Sequence, residues 1–313
     1  MESKIVGVTV LSILRAIAWI YYLLPVRVSA FWARSLGAFL RVSGLRAKVV
    51  RENLLIAFPG KTPGDVQKRE QLFREAYTHL GYLVFEVMMV LGPMKRYGAA
   101  KVEIRGLQHW RKAGADGRAR IFLSSHVGCW EVMGCAGALA GVPILFVTKH
   151  LKPEWLHRAI EKGRARCNVS GTYEPRTLRD VMRHFKNGGT VGFVLDQFAG
   201  APVGVRVPLF GVPVGTHLAV AAVAKRMNAI VLPVVNYRIP GGKFIIEISP
   251  PLDWIGHPDP DHELAANTAH YAATLERHIR AHPEQWLWIH RRFKGDMSPL
   301  REGEWSSGRK KQA

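Results

Sequence analysis

The chain has 313 residues and carries 44 Lys and Arg against 24 Asp and Glu, a formal charge of +20. Apolar residues make up 48% of it, too many for a disordered chain, and a single apolar run of about 20 residues excludes a polytopic membrane protein. Cys129, Cys135 and Cys167 are too few and odd in number for a disulfide scaffold, which fits a reducing compartment. The charge calls for polyanionic partners; no signature of a nucleic-acid module is present.

In chain order, residues 5–24 form an apolar run with one charge, Arg15, and with Trp19, Tyr21 and Tyr22 at its far end. Its length and its aromatic end predict a transmembrane or membrane-anchoring helix. From Pro25 to Arg51 there are six basic residues and no acid, and Arg27, Arg34, Arg41 and Lys48 recur every seven residues. With Phe31, Trp32, Leu36, Phe39 and Leu40 on other faces, this predicts a basic amphipathic helix lying on anionic lipid. The positive charge places the chain beyond residue 25 in the cytoplasm. Gly60-Lys61-Thr62 resembles the end of a phosphate-binding loop, but Leu55 stands where that loop needs glycine, so it reads as a connection between helices.

Val66 to Leu91 has apolar residues at helical spacing and predicts a long helix, in which Glu86 and His79 are solvent-facing or paired. Beyond it, short apolar runs alternate with helical segments. Strands are expected at 121–125, 143–147, 190–195, 230–235 and 244–248, and helices at about 130–140, 153–166, 175–186, 217–227 and 262–281. This alternation predicts an α/β layered fold with a mostly parallel central sheet flanked by helices, and chemistry at the carboxyl ends of its strands. The expected organisation is an anchor over 1–24, a basic helical membrane-proximal region over 25–100, a catalytic domain over 101–295 and a polar, flexible tail over 296–313.

His126 falls where the first of these strands ends, in the run His126-Val-Gly-Cys-Trp-Glu131. On one continuous helix His and Glu five apart point about 140° from each other. They meet if His126 stays in the loop and Glu131 opens the helix, a turn that Gly128 permits. Glu131 then accepts a hydrogen bond from one imidazole nitrogen and frees the other as a base. Two blander readings compete: a histidine that merely caps the helix, and a zinc site of His126, Cys129, Cys135 and Cys167, whose spacing lacks the tight pairs zinc sites use. Ser124 and Ser125 lack the elbow that activates a nucleophilic serine.

HVGCWE resembles the H-F-G-N-W-E block of the bacterial lipid A biosynthesis acyltransferases, and other blocks agree in order. Asn53-Leu-Leu-Ile-Ala-Phe-Pro59 is similar to N-L-x-x-x-F-P, Lys149-His-Leu-Lys-Pro153 to R-P-L-K-N-P, and Arg164-Ala-Arg166 to an R-x-R-x-x-G block. Leu195-Asp196-Gln197 matches D-Q, Val207-Pro-Leu-Phe-Gly211 is similar to V-P-F-F-G, and the segment from Trp286 to Lys294 is close to W-x-W-x-H-R-R-F-K. The resemblance spans about residues 5 to 295. Cys129, Lys149, Asn168 and Leu209 depart from the family pattern and leave His126 and Glu131 intact.

The resemblance implies transfer of a fatty acyl group from an acyl-carrier-protein or acyl-CoA thioester to a hydroxyl of an anionic membrane glycolipid. In that family the hydroxyl belongs to a 3-hydroxyacyl chain of lipid A. It places the catalytic domain on the cytoplasmic face of the inner membrane. His126 and Glu131 are the expected catalytic pair, with amides near Gly128 or a basic side chain stabilising the oxyanion. Lys149, Arg164, Arg166 and Arg206 are candidates to hold phosphates or sugars, with Asp196 and Gln197 at the same substrate site, Asp196 positioning an arginine. No metal or other cofactor is expected, because a thioester donor needs none. Other acceptors, namely a lysophospholipid, an ornithine-type lipid or a phosphoinositide mannoside, and a non-catalytic lipid-binding role use the same features.

Overall fold

The computed structural model describes residues 2–295; the tail expected over 296–313 lies outside them. The chain opens with α1 (Glu2–Leu23), α2 (Val26–Val42), α3 (Ala47–Ala57) and α4 (Pro63–Met88). The Gly60-Lys61-Thr62 stretch ends in the cap of α4: Asp65 N donates to Thr62 Oγ1 at 3.2 Å and Thr62 N to Asp65 Oδ2 at 3.0 Å, with Pro63 in the first turn, a reciprocal arrangement that satisfies otherwise orphaned amides.

The basic segment is two helices rather than one. Gly44, at φ 71°, and Arg46, at φ 53°, break it, so Lys48 belongs to α3 and does not extend the arginine row of α2. The inner face of α2 is Ala33 and Gly37, buried against α4. Its opposite face exposes Val28, Phe31, Phe39 and Val42, with Arg27, Arg34 and Arg41 along one flank. No helix among the described residues is long and apolar enough to cross a membrane. Helix α1, the expected anchor, buries Ala18 and Tyr21, the latter stacked on Phe85 of α4 at 4.4 Å, and leaves Val8, Ile13, Ile20 and Leu23 exposed.

The layered part continues with α5 (Met94–Lys101), β1 (Val102–Arg105), α6 (Leu107–Ala113), β2 (Arg120–Ser124), α7 (Trp130–Leu139), β3 (Ile144–Val147), α8 (Glu154–Arg166), β4 (Val169–Thr172), α9 (Thr177–Lys186) and β5 (Thr190–Val194). A two-strand ribbon, β6 (Gly204–Leu209) and β7 (Val212–His217), precedes α10 (Ala219–Met227), β8 (Ile230–Ile239), β9 (Lys243–Ile248) and α11 (Pro260–Ala281). The main sheet has the order β1-β9-β8-β2-β5-β3-β4. β8, β2, β5, β3 and β4 run one way; β9 pairs antiparallel to β8, and β1 runs parallel to β9. Phe122, Ile144, Leu232 and Ile246 point to the face covered by α6 and α7. Ile121, Leu145, Val191 and Phe193 point to the face covered by α9, α10 and α11.

Helix α4 is the bridge between the two parts. Arg238 of β8 donates to both carboxylate oxygens of Glu86 at 2.6 Å, a buried bidentate pair, and burial with the nearby Arg238 charge holds the neighbouring His79 imidazole well below its ordinary pKa. At the α2–α4 crossing, a Cβ on Gly81 would lie 2.0 Å from Ala33 O, and one on Gly37 would lie 2.4 Å from Tyr77 O. Helix propensity alone would favour alanine at Gly81 by up to about 1 kcal/mol; here the contact decides the sign. Gly81→Ala is expected to destabilise the protein by about 1–3 kcal/mol, read as a fall in the denaturation midpoint, whereas Ser35→Ala on the outer face of α2 should leave the midpoint unchanged.

Candidate active site

β2 and β5 are adjacent and parallel, so their carboxyl ends bring His126 and Asp196 together across 70 residues of sequence. Asp196 Oδ1 lies 2.6 Å from His126 Nδ1, and Oδ2 accepts from the His126 amide at 2.7 Å and from Trp286 Nε1 at 2.6 Å. A carboxylate facing Nδ1 fixes the proton there and leaves Nε2 as the basic nitrogen. Burial pushes the Asp196 carboxyl up, but attraction to the His126 ring and the three hydrogen bonds outweigh it and hold the group at about 2. A depressed carboxyl contributes stability that is complete above its ordinary value of 3.8 and is lost as pH falls toward 2.

The loop carrying His126 is pinned from three sides. Gly128 adopts φ 68°, and a Cβ there would lie 2.3 Å from Asn236 O. Asn236 of β8 accepts from Cys129 N at 2.7 Å and donates to Val127 O at 2.9 Å. The segment after α11 completes the clamp: Gly128 N donates to Gln285 O and Leu287 N to His126 O. That segment is held in turn by Asn53 of α3, whose amide donates to Trp288 O and His290 O at 2.7 Å each, and by buried Arg292, which donates to Gln197 O, Gly215 O and Thr216 Oγ1. The amides of Gly128 and Cys129 are thus committed to protein acceptors.

Glu131 opens α7 as expected, but its partner is not His126. Arg164 Nε donates to Glu131 Oε2 at 3.0 Å and Nη2 pairs with Oε1, while Trp130 Nε1 donates to Oε1 at 3.1 Å. No hydrogen bond joins Glu131 to His126 among the described residues. Asp196, expected to position an arginine, occupies the place expected for Glu131. Arg164 is itself buried, with Nη1 on Glu161 at 2.8 Å; each of its three guanidinium nitrogens pairs with a carboxylate, so it is not a free phosphate clamp. Burial pushes its pKa down, and the two carboxylates more than restore it.

A cavity of about 780 Å³ opens at these strand ends, its walls including Phe122, Phe146, Phe193, Val220 and Val234, with His126, Glu131, Lys149, Arg164 and Gln197 at its polar parts. The lining is mainly apolar, as lipid and small-molecule sites are. Lys149 is exposed at the rim. Arg166, at the exposed end of α8, and Arg206, on β6, are not part of the lining. His290, whose ring centroid lies 5.4 Å from that of His126, was visible only as one letter of the final block. Burial, then the His126 charge, lowers its pKa. Among the described residues no group of three or more His, Cys, Asp and Glu side chains is placed to hold a metal ion, and the three cysteines are buried and unbridged.

Removing one partner of a buried pair leaves an uncompensated charge. Arg164→Ala should therefore cost about 3–5 kcal/mol of stability, with the double change Glu131→Gln/Arg164→Met recovering part of it, as read by denaturant unfolding. An Arg164→Ala protein of full stability would show the pair to be dispensable.

Comparison with known proteins agrees with this architecture. A family model described as bacterial lipid A biosynthesis acyltransferase matches residues 2–295. The chain is 28% identical over 288 residues to the lipid A biosynthesis lauroyltransferase of Escherichia coli K12, covering 89% of each chain. It is 26% identical over 284 residues to the lipid A biosynthesis palmitoleoyltransferase of the same organism, again covering 89% of each. A lipid A biosynthesis acyltransferase of Haemophilus influenzae is 24% identical over 244 residues, 76% of this chain and 72% of that one. With every described residue inside the family match, the chain belongs to the bacterial lipid A biosynthesis acyltransferases and is an acyltransferase.

Proposed function

We propose that this enzyme moves a fatty acyl group from an acyl-carrier-protein thioester to the hydroxyl of a 3-hydroxyacyl chain on a lipid A precursor, at the cytoplasmic face of the inner membrane. The observation that carries the reading is an imidazole, held at Nδ1 by a buried carboxylate, on the wall of an apolar cavity. His126 Nε2 takes the hydroxyl proton as the oxygen attacks the thioester carbonyl carbon. The resulting oxyanion is met by His290, which lines the cavity with its ring beside that of His126. Collapse breaks the C–S bond, and the imidazolium returns its proton to the leaving thiolate. Asp196 positions the ring and offsets its charge, and the Glu131–Arg164 pair braces the start of α7 below it. Arg166 and Arg206 lie outside the cavity lining and serve as sites for the charged head of the acceptor.

The outer faces of α1 and α2 support attachment to the membrane surface. Phe31 and Phe39 are 67% and 68% exposed, and the arginine row beside them suits anionic headgroups. We expect binding of the full chain to anionic vesicles to weaken as salt rises. Phe31→Glu/Phe39→Glu should weaken it tenfold or more; unchanged binding would move the membrane contact elsewhere.

Transfer assayed with acyl carrier protein and a lipid A precursor tests the chemistry. His126→Ala should fall to near background. Asp196→Asn keeps the shape but not the charge, and should lose on the order of 10²–10⁴-fold in kcat while KM for the donor stays within a few-fold. A folded His126→Ala protein that keeps more than about a tenth of the activity would rule out this residue as the general base.

A further inference from the structure

Among the exposed basic residues of this chain, two groups lie on opposite sides of the sheet. Arg27, Arg34 and Arg41 flank an exposed apolar face on α2, which packs on α4. In turn α4 packs on α7 and joins the core cluster of α7 and α8. The second set is on α9, which covers the opposite face of the sheet through Val181 and Phe185. There Arg176, Arg179, Arg183 and Lys186 are exposed. The acids nearby are Glu174, exposed, and Asp180, which accepts from Thr172 Oγ1 at 2.9 Å and lies 3.8 Å from Arg183. At the end of the adjacent strand β3, Lys149 and Lys152 are exposed as well.

Three features of α9 distinguish it from a lipid-binding face. Its exposed large apolar residue is Leu178 alone, against Val28, Phe31, Trp32, Phe39 and Val42 on α2. It lies across the sheet from the helices with the exposed apolar faces. Its first two turns also form a wall of the reaction cavity, through Thr177, Leu178 and Val181, facing Ala219 and Val220 of α10. A charged surface without apolar partners suits an acidic protein surface, where complementarity sets encounter rate and register.

We infer that the exposed arginines at the start of α9, with Lys149 and Lys152 beside them, are the docking surface for the acidic carrier protein, and that its acyl chain enters the cavity over Leu178, between α9 and α10. This rests on the acyl-transfer reading and adds to it the place of the donor. It has a geometric consequence: the donor arrives from the side of the sheet opposite α1 and α2, so a donor on its carrier and an acceptor in the membrane reach His126 without competing for one entrance.

Arg176→Glu/Arg179→Glu tests this on exposed positions outside the catalytic machinery. Two thioesters with the same acyl chain are compared, one on acyl carrier protein and one on coenzyme A. The variant should raise KM for the carrier-bound donor tenfold or more, leave kcat/KM for the coenzyme A thioester within twofold, and lose the salt dependence of carrier binding measured by fluorescence anisotropy. Equal effects on both donors, unchanged carrier binding, or a loss of vesicle binding in place of carrier binding would overturn it. So would a wild-type protein that does not bind the carrier. Carrier binding without any transfer would sink the acyl-transfer reading and leave the docking surface standing.

Discussion

One buried carboxylate organises the candidate active site. Asp196 accepts hydrogen bonds from the His126 amide and the Trp286 indole and faces the His126 ring, so a single charge fixes the backbone, orientation and tautomer of that imidazole. Removing a carboxylate from water is costly unless its lone pairs are satisfied, and here the donors come from distant parts of the chain. The loop after β2, the end of β5 and the segment after α11 must be in place together. Asn53, Asn236 and Arg292 are the side chains that hold those pieces to one another.

This dependence ties the N-terminal helices to the candidate site. Asn53 sits on α3 and Glu86 on α4, yet the first holds the Trp288–His290 backbone and the second pairs with β8 beside the sheet. The helical region and the α/β layer share one core cluster, which includes Tyr21, Tyr77, Met89, Val132, Phe244 and Trp288. The exposed apolar face of α2 and the His126 imidazole are thus parts of one packed body, with the cavity at the strand ends.

Much of the α/β layer was legible because its elements carry clear periods. The runs ending in Ser124 and Val194 and the helices α7, α8, α9 and α11 fall within a few residues of expectation. The ribbon of β6 and β7 escaped because Pro208 and Pro213 face each other across it and its turn sets Phe210, at φ 53°, beside Gly211; local pattern there reads as loop. β1 (VEIR) and β4 (VSGT) lack the continuous apolar run that announced the equally short β3. The membrane-spanning reading of residues 5–24 rested on their length and aromatic end; among the described residues no helix is long and apolar enough to cross a membrane. In the site, His126 was readable from its place at a strand end, and its partner was not. Glu131 is close in sequence, whereas Asp196 becomes close only through the pairing of β2 with β5, a long-range fact that spacing does not encode. The Asp-Gln pair at a strand end was the available signal. What could not be read was which of two carboxylates takes the imidazole and which takes Arg164.

The most direct test of this account is the protonation pattern of the His126 ring, read by ¹⁵N NMR of histidine-labelled protein above the imidazole titration. A carboxylate at Nδ1 requires that nitrogen to carry the proton and Nε2 to show the shift of an unprotonated ring nitrogen. The account predicts that pattern for His126 and its disruption in Asp196→Asn. A ring protonated at Nε2, or one unaffected by Asp196→Asn, would contradict it.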